Sequence, residues 1–407
     1  MPLNARHLER YAEVLIWGLK TSRRRAYKRG DIILLRYHRP AIELAEIIQA
    51  KLLDMGTHPV LRMDPTPPME RNFYGRANRR QIDFIAPGEA ELHRRLNGSI
   101  FLYAPESILH LGDVDPKKIG RAALARKPLR NILEGREAAG QFGWTLCVFP
   151  TRELARHARL PFDAYARQVA SACFLNRTAP LGEWRRIFKQ AQTIKKWLDG
   201  MEIARLHVEA AQIDLELTPG DQRRWLGVSG HNIPSFEIFI SPDWRGTRGV
   251  YAADQPSFRS GNRVEGVRLE FKRGVVVASR ARIGHDFLQQ QLMMDPGARK
   301  VGEFSLTDKR FSKINRFMAN TLFDENYGGR HGNCHIALGA AYADAFAGDP
   351  AQLTAKEKAR LGFNDSALHW DLVNTQKKRV VAHLKSGRRT TIYENGRFAC
   401  SSVSVPG

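Results

Sequence analysis

Cysteine is scarce in this sequence. There are four in 407 residues, Cys147, Cys173, Cys334 and Cys400, all far apart. No two form a C-x-x-C pair, which argues against a zinc knuckle. A chain of this length buries a core large enough to do without disulfide staples. Scattered thiols fit a reducing cytoplasm, which is the expected location. Long apolar runs are absent too. Nothing approaches the ~20 apolar residues that a membrane-spanning helix needs. The apolar stretch 14–17 is short and sits beside Glu9 and Glu13, unlike a secretory signal. No glycine-rich loop follows any expected strand, so no nucleotide site is expected.

Negative charge is also in short supply. The 42 Asp and Glu face 64 Lys and Arg, for a formal charge of +22. Such an excess invites a nucleic-acid reading. However, both halves of the chain are basic, there is no basic tail, and no RNA- or DNA-binding module accompanies the charge. The densest runs, Arg23, Arg24 and Arg25 with Lys28 and Arg29, then Arg76, Arg79 and Arg80, read as solvated helix ends and loops.

The length suggests two or three domains, at roughly 150 residues each. Leu8, Tyr11, Leu15 and Leu19 repeat at helical spacing. Residues 31–37 (DIILLRY) read as a buried strand, 40–52 as a helix closed by Gly56, and 58–63 (HPVLRM) as a second strand. Strand, helix, strand is a βαβ unit and implies a parallel sheet. Residues 99–104 and 144–149 read as further strands of it, and 161–174 and 182–198 as helices. Past about 190 the pattern becomes β-rich. A hairpin is expected around Arg273 and Gly274, with Val267, Leu269 and Phe271 on one face, followed by a short helix over 285–294. The expected architecture is an α/β N-terminal domain with a mostly parallel sheet, residues 1–190. A β-rich α+β catalytic domain, residues 191–407, completes it.

Four segments of the second half are rich in metal-ligand residue types: 232–242 (NIPSFEIFISP), 301–306 (VGEFSL), 320–347, and 364–373 (NDSALHWDLV). Each is weak alone. In this order, with NTLFDEN ahead of GNCHIALGAAY, they resemble the thermophilic-aminopeptidase family, of the aminopeptidase T, aminopeptidase S and PepS type. The resemblance implies a metal-dependent aminopeptidase and carries over residue by residue. It makes Glu237 (of N-x-P-x-x-E), Glu303 (of V-G-E), His335 (of CHIALG), His369 and Asp371 the metal ligands. Tyr342, seven residues after His335, becomes a group that assists catalysis. It further implies a homodimer whose sites face an internal cavity that admits short peptides. Many members carry a glycine before the first Glu and a threonine three residues after it. Here Phe236 and Ile240 stand there, and both are expected to narrow the substrate pocket.

The same residues make chemical sense by themselves. Three carboxylates with two imidazoles form a mixed oxygen and nitrogen set suited to zinc, cobalt or manganese. They can hold two divalent metal ions if one carboxylate bridges. His369 and Asp371, two apart in a strand, point to one face. His335 and Tyr342 are expected two turns apart on one helix, roughly 10 Å along the axis. One of Glu237 and Glu303 is expected to shuttle a proton, and Tyr342 to donate to the developing oxyanion. His331 has the i,i+4 spacing of a helical zinc pair with His335. Gly328, Gly329 and Gly332 place it before the element that carries His335, so it is not counted as a ligand. Glu265 and Glu270 read as solvated hairpin charge. Asp324 and Glu325 are expected to shape the site, with no metal assigned to them. Two other functions compete. One is a different two-metal hydrolase such as a phosphoesterase, disfavoured because no obvious phosphate-clamping Arg or Lys stands beside a ligand segment. The other is a basic nucleic-acid-binding protein.

Overall fold

The computed structural model describes residues 3–403. Four strands, β1 (Ile32–Tyr37), β2 (His58–Met63), β3 (Gly98–Tyr103) and β4 (Gly143–Val148), form a parallel sheet in the order β2-β1-β3-β4. Its central strands are apolar because both faces are covered: Ile33, Leu34 and Leu35 are all buried. The helix Ala5–Ser22 buries Leu8, Tyr11, Leu15 and Leu19, as their spacing predicts, and Asn4 caps it by accepting the His7 N–H at 3.0 Å. It packs closely on the sheet because Gly18 has no side chain. A Cβ there would lie 2.8 Å from the Gly230 carbonyl oxygen.

The remaining strands follow in chain order: β5 (Ile203–Ala210), β6 (Ile213–Thr218), β7 (Asn232–Ile233), β8 (Glu237–Ile240), β9 (Asp243–Ala252), β10 (Ser257–Arg259), β11 (Asn262–Val264), β12 (Arg268–Lys272), β13 (Val275–Arg280), β14 (Val301–Thr307), β15 (Asn333–Gly339), β16 (His369–Asn374), β17 (Lys378–Leu384), β18 (Arg389–Glu394) and β19 (Arg397–Phe398). The short β7 extends the parallel sheet beyond β4. The others are antiparallel. Eight build the sheet β13-β12-β9-β6-β5-β17-β18-β19, and four build β16-β15-β14-β8. The β12–β13 hairpin turns at Arg273 and Gly274, both with positive φ (48° and 80°), the geometry a two-residue loop demands. Val267, Leu269 and Phe271 are buried on its inner face. This is the expected fold class, an α/β layer with a parallel sheet joined to a β-rich α+β part.

One expected element is absent. His335 and Tyr342 do not share a helix: residues 333–339 form β15, and Tyr342 lies in the loop beyond it. The run NCHIALG is buried at every position because β14 and β16 flank it and both faces are covered. Such a strand shows no alternation and cannot be told from a buried helix by periodicity.

Candidate metal centre

The four-stranded sheet positions the site. Residues facing one another in an antiparallel ladder share a face, and so do residues two apart on a strand. Ser305 pairs with His335, Glu303 with Ala337, Thr307 with Glu237, Asp371 with Ala337 and His369 with Gly339. Glu237, Glu303, His335, His369 and Asp371 therefore stand on the same face. Ala337 lies opposite both Glu303 and Asp371, so the centre of that face holds only a methyl group and the longer side chains close over it. The ladder slips by one residue between Val301 and Glu303. Gly302 permits that close passage, since a Cβ there would meet the Ala340 carbonyl oxygen at 2.2 Å.

His335 Nε2 lies 3.0 Å from Glu303 Oε1, 3.3 Å from Glu237 Oε2 and 3.8 Å from Asp371 Oδ1. His369 Nε2 lies 3.6 Å from Glu303 Oε2 and 3.5 Å from Asp371 Oδ1. The His369 ring is aimed by its Nδ1 contact with the Ala340 carbonyl at 3.0 Å. Ser305 Oγ donates to Glu237 Oε2 at 3.1 Å. Tyr342 reaches the same centre from the loop, its hydroxyl 3.4 Å from His369 Nε2 and its ring against Phe239. The structure thus brings all six expected residues together.

It also brings in Glu325, which was expected to shape the site with no metal assigned to it. Glu325 is buried, and its carboxylate accepts from the side-chain amides of Asn232 (3.4 Å) and Asn326 (3.5 Å). A carboxylate oxygen of it comes within 4.8 Å of ligand atoms of both His335 and Asp371. Its neighbour Asp324 points elsewhere, accepting the backbone N–H groups of Met318 (2.7 Å) and Asn320 (2.9 Å) and so holding the turn that presents Glu325. Arg259 was missed. It donates to the His369 carbonyl oxygen at 2.7 Å from β10, far away in sequence.

Other expected features fall outside. His331 belongs to none of the ligand groupings among the described residues. Glu265 pairs with Arg263 and Arg282, and Glu270 with Lys272. Phe236 and Ile240 do not narrow the site. Alternation turns both away from it, and Phe236 stacks on Trp184 with centroids 5.5 Å apart. The aromatic residue on the site face is Phe239.

Burial and crowding govern the charges. Burial pushes the Glu237 carboxyl up to about 8, with Glu303 and Asp371 adding to it and His335 opposing. Burial, then the other carboxylates, raises Glu325 well above the ordinary range. Burial also works against ionised Asp371, but His369 and His335 outweigh it and bring its carboxyl down to about 2. Both imidazoles rise to about 9, because the surrounding carboxylates overcome burial. Four carboxylates thus share two imidazoles, and among the described residues no Lys or Arg pairs with Glu237, Glu303 or Asp371. A buried surplus of carboxyl groups over imidazoles, with mixed oxygen and nitrogen donors, is a set that a divalent cation can neutralise by displacing their protons.

A family model, the thermophilic metalloprotease family (M29), matches residues 4–398. The chain belongs to that family. As an M29 protein it is a metallopeptidase, a hydrolase. It is 29% identical over 340 residues to aminopeptidase AmpS of Bacillus subtilis, spanning 78% of this chain and 80% of that protein. It is 30% identical over 323 residues to aminopeptidase 2 of Geobacillus stearothermophilus, spanning 74% and 76%. The structure of wild-type AmpT from Thermus thermophilus superposes with a TM-score of 0.77 at 24% identity, covering 97% of this chain and 99% of that one, and shares the M29 fold. Among the described residues no helix is long and apolar enough to cross a membrane.

Proposed function

We propose that this M29 protein is a co-catalytic metallo-aminopeptidase that removes the first residue of short peptides. The observation that carries the reading is the shared sheet face, where Glu237, Glu303, His335, His369 and Asp371 converge and, among the described residues, no Lys or Arg forms an ion pair with them. These five would hold two divalent ions, zinc, cobalt or manganese, and Glu325 adds a donor from the turn beneath. When bound, such ions polarise a carbonyl and lower the pKa of water.

The protein's own groups do the rest. Tyr342, 38% exposed on the open side, donates its hydroxyl hydrogen to the scissile carbonyl oxygen as that oxygen gains negative charge. A carboxylate of the Glu237 and Glu303 pair takes a proton from water and delivers it to the departing amine. Ser305 and the Ala340 carbonyl fix Glu237 and His369 so that neither turns away. The carboxylate-rich face favours a substrate that presents a free amino terminus. We assign residues 1–190 as the frame and 191–407 as the part that holds the site, and expect the working form to be a homodimer.

The test is a panel of short peptides with free and acetylated amino termini, assayed after addition of zinc, cobalt or manganese. The expected result is release of the first residue from free peptides and none from acetylated ones. Equal cleavage of both rejects the aminopeptidase. Turnover of a phosphate ester with no peptide cleavage replaces it with a phosphoesterase.

A further inference from the structure

β16 is the outer strand of its sheet, so one side of its backbone has no strand to pair with. Carbonyls alternate in direction along a strand. That of Leu368 turns inward and accepts the Ala340 N–H at 2.7 Å. Those on either side of it, of Ala367 and His369, turn outward, and two arginines from remote parts of the chain meet them. Arg259, on β10, donates to the His369 carbonyl oxygen at 2.7 Å. Arg130, on the helix Pro116–Ala138 that joins β3 to β4, donates to the Ala367 carbonyl oxygen at 3.4 Å. Two residues of extended chain, about 7 Å, separate those carbonyls. The second belongs to a residue whose imidazole lies in the metal centre.

Two guanidinium groups side by side repel each other. Lys127, one turn before Arg130, is neutralised by Asp365 at 3.0 Å. Arg259 has no ion pair among the described residues. Its other neighbours are the Gln291 amide oxygen, 3.4 Å from Nε, and the Trp370 ring, 5.8 Å away. Arg130 has Glu134 of its own helix at 3.7 Å from Nε and remains 43% exposed. Burial holds the Arg259 guanidinium down to about 10; Asp371 opposes this and the Arg130 charge adds to it. No side-chain carboxylate bridges the two cations among the described residues. Nη2 of each arginine makes no hydrogen bond there. Arg259 is partly exposed, and its Nη2 is not among the buried unpartnered atoms, so a solute can reach it.

On the reading of the site given above, we propose that Arg130 and Arg259 receive the terminal carboxylate of a dipeptide or tripeptide whose amino end lies at the metal centre. Guanidinium donors match the geometry of a carboxylate, and two arginines can take one oxygen each. Extended chain spans at most ~3.3–3.6 Å per residue, so two or three residues reach roughly 7–10 Å. The path from the His369 ring through its own backbone to Arg259 is of that order. A longer peptide carries its carboxylate past both arginines. The pair therefore selects substrates by length, which the metal ligands alone do not do.

The test titrates the metal-loaded protein calorimetrically with a reduced dileucine, whose peptide carbonyl is replaced by a methylene, and with its C-terminal amide. Neither is hydrolysed at that bond, so binding is read apart from turnover. The acid is expected to bind about tenfold or more tighter than the amide, the usual loss for a hydrogen bond between charged groups. Hydrolysis of Leu-Leu and its amide should show a similar ratio in kcat/KM, carried by KM. A six-residue peptide and its amide should agree within about twofold. Arg130→Gln and Arg259→Gln are each expected to narrow the dipeptide gap to about twofold. Arg259 also holds the His369 carbonyl, so elemental analysis accompanies its variant, and Arg130→Gln decides if that variant loses metal. The proposal is overturned if acid and amide bind alike, if neither binds, if Arg130→Gln keeps the full preference, or if the six-residue peptide shows the same preference. A protein that cleaves no peptide, yet prefers the acid through both arginines, keeps this site and loses the peptidase reading.

Discussion

His331 and His335 lie four residues apart, yet only His335 reaches the carboxylates. His331 is held in the glycine-rich lead-in to β15, where Gly329 and Gly332 take positive φ. Glu303→Ala and His335→Ala are therefore expected to lose bound metal and activity together, while His331→Ala keeps most of both. Elemental analysis beside a peptidase assay checks this, and metal loss in His331→Ala as severe as in His335→Ala would refute it. Tyr342 carries a different load. Its hydroxyl lies 3.4 Å from His369 Nε2 and, among the described residues, has no hydrogen bond to a carboxylate. Tyr342→Phe should keep full metal content, with turnover lower by about 10²–10³, the usual cost of one oxyanion donor. Wild-type turnover in that variant would reduce Tyr342 to a packing role.

At the scale of the element, the site depends on strand period and register. A one-residue slip of β15 would turn His335 to the opposite face and bring Cys334 and Ile336 forward. Ala337 is the position where register and space meet, since it pairs with both Glu303 and Asp371. Ala337→Leu is expected to remain folded with a stability loss of about 1–3 kcal/mol from overpacking. It should no longer bind metal, because the added side chain occupies the centre of the site face. Chemical denaturation and metal titration together test this, and unchanged metal affinity would show that the face has more room than the pairing implies. The same element explains the failed helix expectation. His335 and Tyr342 meet at the site because β15 ends at Gly339 and the chain turns back over His369.

Across the whole molecule, four strands and the turn at Asp324 contribute to one centre, so a bound cation ties together segments from Glu237 to Asp371. Stripping metal is expected to lower the melting temperature by several degrees, since a ligand at about 1,000 times its Kd adds ~4 kcal/mol. Add-back should restore it in the wild type and not in Asp371→Asn. The pH dependence follows from the metal-free charges. His335 and His369 hold protons up to about 9, and Glu237 up to about 8. A cation must displace these protons, so it binds more weakly as pH falls below about 9, and binding releases protons. Titration in buffers of different ionisation enthalpy measures that release. Constant metal affinity between pH 6 and 9 would contradict it.

The helix over 5–22, the βαβ unit and the β12–β13 hairpin were legible in the sequence because each is specified locally. Apolar spacing, Gly56 at a helix exit and Gly274 in a tight turn act within a few residues of themselves. Five charged or imidazole side chains and Tyr342 were picked out as a set by the family resemblance of their segments, and their residue types suit one chemistry. Tertiary structure decided the rest. Whether NCHIALG is strand or helix depends on β14 and β16, which lie far along the chain and cover it on both sides. Whether Phe236 or Phe239 faces the site depends on the register of β8 with β14. Arg259 carries no local mark of its position, because what brings it to the centre is the packing of a hairpin against another element. Long-range pairing sets those positions, and no short stretch of sequence encodes it.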